Sequence, residues 1–175
     1  VEDIKEDSQW IESEEIKPES VTLNKKLNTS LIKCGDYSIK YVTNEEVLNI
    51  LKNRSSTNNL LLNAEHSHSD LITAVYEGGL KVWECTYDLL NFINDNDIDL
   101  SNKKVLDLGC GVGIIGIFSC LKGTTTFFQD YNSEVINQVT IPNILLNNIE
   151  LDKCAFYCGD WKSFLDLLRP TFVNE

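Results

Sequence analysis

The glycine-rich segment DLGCGVG, residues 107–113, is the part of the chain whose residue types and spacing are best suited to chemistry. It follows a short apolar run, VLDL (105–108), and precedes an apolar stretch from Ile114 to Leu121. In an open α/β sheet, the carboxyl end of a strand borders the crevice in which ligands bind. Glycines at such a turn let the backbone approach a ligand that any Cβ atom would exclude. The sequence therefore predicts a small-molecule site at this turn.

The carboxylate of Asp107 separates two kinds of ligand for this turn. Gly111, Gly113 and Gly116 satisfy the pattern G-x-G-x-x-G, which is typical of dinucleotide sites but weak by itself. Asp107 would face the pyrophosphate, and like charges about 4 Å apart repel by roughly 1 kcal/mol in water and roughly 4 kcal/mol at an effective dielectric constant of about 20. The same carboxylate would stabilise a cation. S-adenosylmethionine carries a sulfonium and an amino group and no phosphate, so we expect this cofactor and keep a nicotinamide dinucleotide as the alternative.

Two further acids follow the next predicted strands. Asp130 lies 17 residues after Gly113, where a carboxylate is placed to accept hydrogen bonds from both ribose hydroxyls of either cofactor. Asp160 follows the third strand and could accept from an adenine amino group, with Trp161 offering an aromatic surface beside it. A turn acid and a core tryptophan are the structural alternatives for this last pair.

Strand and helix patterns alternate around these residues. Each β-prone run is followed by a helical pattern, and this order predicts parallel pairing with right-handed crossovers, which is an α/β fold. The predicted strands are VLDL (105–108), TTFFQ (125–129) and CAFYC (154–158), and the predicted helices are Ile114–Leu121, a helix that begins at Ser133 after the N-cap Asn132 and is interrupted by Pro142, and residues 163–168.

A stripe of apolar residues precedes the glycine turn. These residues recur at helical spacing behind a flexible glycine pair, which predicts an amphipathic helix. The stripe consists of Gly78 and Gly79 followed by Leu80, Trp83, Tyr87 and Leu90. From the pattern alone, Trp83 is best placed in the core. The neighbouring Glu84 is discordant, because a carboxylate is costly in a core but useful near an amino or sulfonium cation.

The N-terminal part of the chain is set apart by its charge. Residues 1–20 contain eight acids and two lysines, a net charge of −6 out of −12 for the whole chain, and such a composition is typical of disorder. We expect three parts, an acidic disordered tail over 1–30, an N-terminal extension over 31–66 and a main domain over 67–175. Within the extension, the alternating run 37–42 predicts a strand, and Thr43 with Glu46 forms a capping-box pattern that predicts a helix.

The overall composition argues against several partners. The net charge of −12 is unfavourable for nucleic-acid phosphates, so we expect no direct nucleic-acid binding. No apolar run approaches the roughly 18 residues that a membrane span needs, and we expect an intracellular protein without a membrane partner. Six dispersed cysteines without a C-x-x-C pair predict reduced, buried thiols. With His66 and His68 as the only histidines, no metal site is expected.

Several tracts between about Ser67 and Trp161 form a distinctive set. They are YEGGLKVWECTYDLL (76–90), VLDLGCGVG (105–113), FQDYN (128–132), VTIPN (139–143) and GDW (159–161). Together these tracts resemble the eukaryotic protein-histidine methyltransferases. The resemblance implies the class I, seven-β-strand, Rossmann-like methyltransferase fold. It further implies that the first three parallel strands and their helices lie in this chain, that the later strands are missing, and that the chain is a C-terminally truncated fragment.

The resemblance also implies a cofactor, its contacts and a substrate. The cofactor is S-adenosylmethionine, and beside Asp107 and Gly111 of the glycine turn its implied contacts are Val82, Trp83, Glu84, Cys85, Thr86, Gly109, Gln129, Asp130, Tyr131, Gly159, Asp160 and Trp161. The implied reaction methylates the tele nitrogen of a histidine in a large-subunit ribosomal protein, in the cytoplasm and the nucleus, including the nucleolus. In the family the acceptor-facing segment follows the fourth strand, so we expect this chain alone to be inactive, and its catalytic residues are unknown.

Other functions stay open at the level of the sequence. One is a non-catalytic scaffold or chaperone for a ribosomal protein that binds the same cofactor, and another is methyl transfer to a different protein side chain. His68 precedes the tract that contains Trp83, and we expect it to be a candidate for self-methylation in the full-length protein. The alternative for His68 is a loop histidine that is solvated or paired with Asp70.

Overall fold

Residues 10–18, 27–54 and 78–172 are the part of the chain that the computed structural model describes. The strands of this part are β1 (Glu14–Ile16), β2 (Thr29–Cys34), β3 (Tyr37–Val42), β4 (Lys104–Leu108), β5 (Thr125–Asp130) and β6 (Cys154–Cys158). The helices are α1 (Asn44–Arg54), α2 (Glu84–Asp95), α3 (Ile114–Leu121), α4 (Ser133–Val135), a π-helical segment (Ile136–Thr140), α5 (Ile141–Leu146), a short 3-10 helix (Leu151–Lys153) and α6 (Trp161–Phe172). None of these helices is long and apolar enough to cross a membrane.

Three parallel strands form the centre of the fold. β4 pairs with β5, and β5 pairs with β6, so that Leu106, Phe127 and Ala155 lie side by side. The connections are α3 and the helix made of α4, the π-helical segment and α5. Residues 126–130 of β5 are all buried, as is typical of a parallel strand that is covered on both faces. The predicted parallel α/β arrangement is confirmed.

A fourth strand joins this sheet from the region that the charge pattern assigned to a disordered tail. β1 runs antiparallel to β6, with Glu14 opposite Cys158 and Ile16 opposite Phe156. The disordered tail predicted over 1–30 is therefore wrong for this segment. Ile16 is buried against the core, and pairing with β6 gives the backbone N–H and C=O groups of β1 their hydrogen-bond partners. A prediction from net charge takes neither of these contributions into account. The strand order is β1-β6-β5-β4, which puts β4 at the opposite edge of the described sheet.

The N-terminal extension is a β-hairpin followed by a helix. β3 coincides with the predicted strand 37–42, and in α1 the Glu46 N–H donates to the Thr43 hydroxyl over 3.4 Å, as the capping pattern predicts. The partner strand β2 was not predicted. A two-residue turn containing Gly35 in a left-handed conformation (φ +54°) connects the strands, and Gly-Asp between β-prone runs is a hairpin signal.

The helix that carries the apolar stripe begins later than predicted. α2 starts at Glu84, while Leu80 and Trp83 precede it, and Trp83 has extended backbone at the N-cap position. Leu80 is nevertheless buried. The spacing of Leu80 and Trp83 matches a helix, but an irregular segment can give the same spacing while it buries Leu80 and exposes Trp83. The predicted helix over this region is correct only from Glu84 onward.

Pro142 does not interrupt the helix that begins at Ser133, contrary to the prediction. Helical backbone continues to Leu146, and the stretch Ile136–Thr140 just before the proline is π-helical. Proline has no N–H, and in an α-helix its ring clashes with the carbonyl four residues earlier. That carbonyl belongs to the widened π-helical segment, which accommodates the ring. Such segments often occur at functional sites.

Gly116 sets the distance between α3 and β5. A Cβ atom at this position would lie 2.2 Å from Cε1 of Phe128, a ring that is fully buried. We predict that Gly116→Ala destabilises the protein by about 1–3 kcal/mol through overpacking. Denaturant unfolding measures this. Helix propensity alone predicts the opposite sign, about 1 kcal/mol of stabilisation, so an increase in the free energy of unfolding would contradict the packing argument.

The six cysteines are all free thiols. Cys34 and Cys158 are buried, three others are half-buried, and Cys85 is exposed. The prediction of buried thiols is therefore wrong for Cys85, which lies in the first turn of α2.

Candidate functional site

The glycine turn after β4 lies against the segment that precedes α2. Gly111 has φ +49°, and a Cβ atom on it would lie 3.1 Å from the carbonyl oxygen of Gly79. A Cβ atom on Gly79 would in turn lie 2.9 Å from the side chain of Val135. Gly111 therefore allows the glycine turn to contact the backbone of Gly79, and Gly79 leaves room for Val135. This contact brings the tract 78–86 to the carboxyl end of the sheet.

A cavity of about 950 Å³ opens over this contact. Its lining comes from the carboxyl ends of β4, β5 and β6, from the first turns of α2, α3 and α6, from the segment before α2 and from the N-terminal segment before β1. The predicted site residues that line it are Val82, Trp83, Cys85, Thr86, Asp107, Gly109, Gly111, Asp130, Tyr131, Asp160 and Trp161. The predicted residues Glu84, Gln129 and Gly159 are not part of this lining.

The two carboxylates at the centre of the prediction lie in the same cavity. Asp107 accepts a hydrogen bond from the Gly116 N–H over 2.8 Å, which ties it to the first turn of α3. Asp130 accepts one from the Gly111 N–H over 2.9 Å and one from the Asn132 N–H over 3.2 Å. Both acids therefore hold the glycine turn while lining the cavity above it.

Burial makes it unfavourable for the carboxyl group of Asp107 to ionise when the cavity holds no cation. Desolvation is the largest cause that raises the pKa of its carboxyl group to about 6, the Gly116 N–H opposes this rise, and the charge of Asp130 adds to it. A cation in the cavity would lower the pKa again by stabilising the ionised form. The site thus favours a ligand that presents positive charge to these acids.

Gln129 positions three predicted site residues from below the cavity. It is fully buried, and its Oε1 accepts from the Gly109 N–H over 3.2 Å and from Nε1 of Trp161 over 3.0 Å. Its Nε2 donates to the Gly159 carbonyl over 2.8 Å. The side chain connects the ends of β4 and β6, so its role is to orient Trp161 and the glycine turn.

Neither tryptophan of the predicted site is a core residue. Trp83 is 45% exposed and Trp161 is 62% exposed, and both line the cavity, which excludes the core alternatives for them. Nε1 of Trp83 donates to the Gly78 carbonyl over 3.2 Å. Glu84 is exposed in the first turn of α2, where a carboxylate interacts favourably with the helix dipole.

Asp160 combines the two roles that the sequence left open. Its carboxylate accepts from the Lys162 N–H over 2.8 Å and from the Ser163 hydroxyl over 2.5 Å, which caps the start of α6. The hydrogen bond from Ser163 is the main cause that lowers the pKa of this carboxyl group. Asp160 is therefore a turn acid that also lines the cavity.

The sequence reasoning missed the N-terminal segment as part of the site. Trp10 lines the cavity and makes an edge-to-face contact with Tyr131, with ring centroids 6.0 Å apart. The Ile11 N–H donates to the Tyr131 hydroxyl over 3.2 Å, and the Ile11 carbonyl accepts from the Asp160 N–H over 2.9 Å. Trp10, Ile11 and Ile16 are apolar residues within an acidic stretch, and this was the available signal.

Three further lining residues were not predicted and carry polar groups. Lys81 and Lys162 contribute ammonium groups, and Cys110 contributes a thiol. Burial, followed by the charges of Asp107 and Asp130, raises the pKa of the Cys110 thiol, so it stays protonated at neutral pH. The described residues contain no group of three or more His, Cys, Asp or Glu arranged to hold a metal ion. His66 and His68 lie outside the described residues.

Several known proteins similar to this chain are named as histidine protein methyltransferases. No protein-family model matches it. The chain is 48% identical over 101 residues to "Histidine protein methyltransferase 1 homolog" of Dictyostelium discoideum, covering 58% of this chain and 33% of that protein. It is 41% identical over 143 residues to the protein of the same name from Bos taurus (68% and 38%), and 35% identical over 127 residues to "Histidine protein methyltransferase 1" of Saccharomyces cerevisiae (66% and 33%).

These relatives are longer than the chain, which spans between 33% and 38% of the length of the three compared. The similarity nevertheless extends over 58% to 68% of this chain and reaches proteins of an amoeba, a mammal and a yeast. Over most of its length, the chain is therefore homologous to part of the eukaryotic histidine protein methyltransferases.

Proposed function

We propose that the protein binds S-adenosylmethionine and transfers its methyl group to the tele nitrogen of a histidine in another protein. The observation that carries this proposal is the convergence of Asp107 and Asp130 on a glycine turn in one cavity, in a chain whose relatives are named for histidine methylation. A phosphate-containing dinucleotide is disfavoured, because its pyrophosphate would face the carboxylate of Asp107.

The lining residues suit the parts of this cofactor. Asp107 would stabilise the positive charge of the cofactor. The cation would in turn offset the cost of ionising this carboxyl group, whose pKa burial raises to about 6. Asp130 would accept from the ribose hydroxyls, and Asp160 with Trp161 would hold the adenine. When bound, S-adenosylmethionine would supply a sulfonium methyl group, whose carbon would bond to the acceptor nitrogen as its bond to sulfur breaks and S-adenosylhomocysteine leaves. Gln129 holds Trp161 through its indole N–H and so fixes one side of the cavity.

The acceptor imidazole needs little activation. Its unperturbed pKa is about 6.5, so it is largely neutral at pH 7 and already nucleophilic. The contribution of the protein is then orientation, which can be worth on the order of 7–11 kcal/mol. We propose a histidine of a large-subunit ribosomal protein as the substrate, in the cytoplasm and nucleus. The acidic N-terminal stretch supports a basic partner, because charge complementarity accelerates association.

Methyl transfer by the full-length protein tests the proposal. Purified protein is incubated with cofactor labelled in the methyl group and with a large-subunit ribosomal protein, and the product is hydrolysed to amino acids. We expect label in tele-methylhistidine. Label in lysine or arginine would overturn the acceptor assignment, and cofactor binding without transfer would favour the scaffold alternative. Binding of NAD without binding of S-adenosylmethionine would overturn the cofactor assignment as well.

A further inference from the structure

Two asparagines cover the open edge of the N-terminal hairpin. The carboxamide of Asn147, just after α5, accepts from the Lys40 N–H over 2.9 Å and donates to the Lys40 carbonyl over 2.7 Å. The Oδ1 atom of Asn143, within α5, accepts from the Val42 N–H over 2.8 Å. Side chains of a helix thus take the place of a neighbouring strand on this side of β3.

The spacing of the two elements explains the fit. Residues four apart on a helix are separated by about 6 Å along the axis, and residues two apart on a strand by about 6.8 Å. Asn143 and Asn147 therefore face Val42 and Lys40, which present their backbone groups on the same edge of β3. This match fixes the register of the hairpin against α5.

Asn143 also reaches the glycine turn. Its Nδ2 donates to the Val112 carbonyl over 2.9 Å, while Oδ1 holds Val42. The side chain is fully buried, so each of these bonds is shielded from water. One turn earlier, at the end of the π-helical segment, the Thr140 hydroxyl donates to the Gly111 carbonyl over 2.7 Å. Two successive carbonyls of the turn are thus held by one helix.

We propose that Asn143 is a positioning residue that ties the glycine turn to the β2–β3 hairpin, so that the hairpin contributes to cofactor affinity without touching the cofactor. The inference rests on the proposed function for the identity of the ligand. Asn143 is the link because one amide accepts from the hairpin and donates to the turn. Without it, the Val112 carbonyl loses its donor and the turn gains conformations that do not bind. Holding the turn in its binding conformation raises the affinity by lowering the entropic cost of binding, without adding a contact to the ligand.

A matched pair of substitutions in the full-length protein tests this link. Asn143→Leu and Asn147→Leu both remove a carboxamide that covers β3, with the same number and branching of side-chain heavy atoms and no change of charge. Only Asn143 has a hydrogen bond to the glycine turn. We expect the Kd for S-adenosylhomocysteine, measured by calorimetry, to rise at least tenfold in Asn143→Leu, equivalent to about 1.4 kcal/mol, and to stay within about twofold in Asn147→Leu.

Two further readouts separate positioning from a general loss of stability. Hydrogen exchange of amides 109–116 should be faster in Asn143→Leu and unchanged in Asn147→Leu, and the KM for the acceptor protein should stay near wild type in both. Equal affinities in the two variants would overturn the inference. If Asn143→Leu does not fold, Asn143→Ser replaces it, with the same criterion. If the wild-type protein itself binds no S-adenosylhomocysteine, the proposed function fails, whereas the exchange experiment still tests the link.

Discussion

Asp107→Asn should weaken cofactor binding at least a hundredfold while making the unliganded protein more stable at neutral pH. The pKa of the carboxyl group rises from 3.8 to about 6 on folding, mainly because burial disfavours its charge. An acid whose pKa is raised by folding lowers stability once it ionises. The loss begins as the pH rises above about 4 and is complete above about 6, where it is on the order of 2–3 kcal/mol. A neutral asparagine removes this cost and can still accept from the Gly116 N–H.

The pH dependence distinguishes this mechanism from a simple packing effect. Denaturant unfolding of the unliganded protein should show Asp107→Asn more stable than wild type at pH 7.5, with the difference vanishing at pH 4 and below. We expect the Kd for S-adenosylmethionine to rise at least a hundredfold at pH 7.5. In the wild type, the affinity should fall as the pH drops through about 6, because protonated Asp107 no longer stabilises a cation.

Asp160→Asn is the matched control, since the pKa of Asp160 moves in the opposite direction. The Ser163 hydroxyl and backbone N–H groups stabilise its ionised form, so neutralisation should lower stability at pH 7.5. A gain in stability that is the same at every pH would contradict the electrostatic account of Asp107. If Asp107→Asn bound the cofactor as tightly as wild type, Asp107 would have no role in cofactor binding.

The elements that the sequence predicts well are those whose signals are local. α3 begins and ends at the predicted residues, because an apolar helical stretch lies between the left-handed Gly113 and Gly123. β6 coincides with the apolar run CAFYC. Asp107 and Asp130 could be placed because Asp130 is the last and Asp107 the second-to-last residue of a strand, and parallel strands bring their carboxyl ends to one edge.

The parts that the sequence did not predict depend on distant contacts. β1 has three residues in an acidic stretch, and it forms because β6 offers an edge and the core accepts Ile16. Trp10 reaches the cavity because β1 is paired in this way and because Ile11 bonds to Tyr131 and Asp160. Gln129 falls within the resemblance to the family, but its position beneath the cavity depends on Trp161, 32 residues later in the chain. No local pattern encodes such pairs.

Gly159→Ala should release the N-terminal segment from the sheet. Gly159 has φ +98°, and a Cβ atom there would lie 2.5 Å from Cα of Ser13 and 2.6 Å from the carbonyl oxygen of Glu12. Backbone cannot yield as a flexible side chain does. We expect the strain of a left-handed alanine, about 1–2 kcal/mol, together with about 1–3 kcal/mol of overpacking. Displacement of the segment relieves the second part and removes Trp10 from the cavity.

Gly123→Ala isolates the contribution of the clash. Gly123 has φ +91°, so an alanine bears similar backbone strain, but its Cβ atom meets nothing within 4 Å.

Digestion with a glutamate-specific protease, mapped by mass spectrometry, should cleave Gly159→Ala rapidly after Glu12, Glu14 or Glu15. The same bonds should be as protected in Gly123→Ala as in wild type. The Kd for S-adenosylmethionine should rise severalfold only in Gly159→Ala, because only there does Trp10 leave the cavity that it lines together with Tyr131. Equal cleavage in both variants would mean that β1 is not held against Gly159, and Trp10 would then have no fixed place in the site.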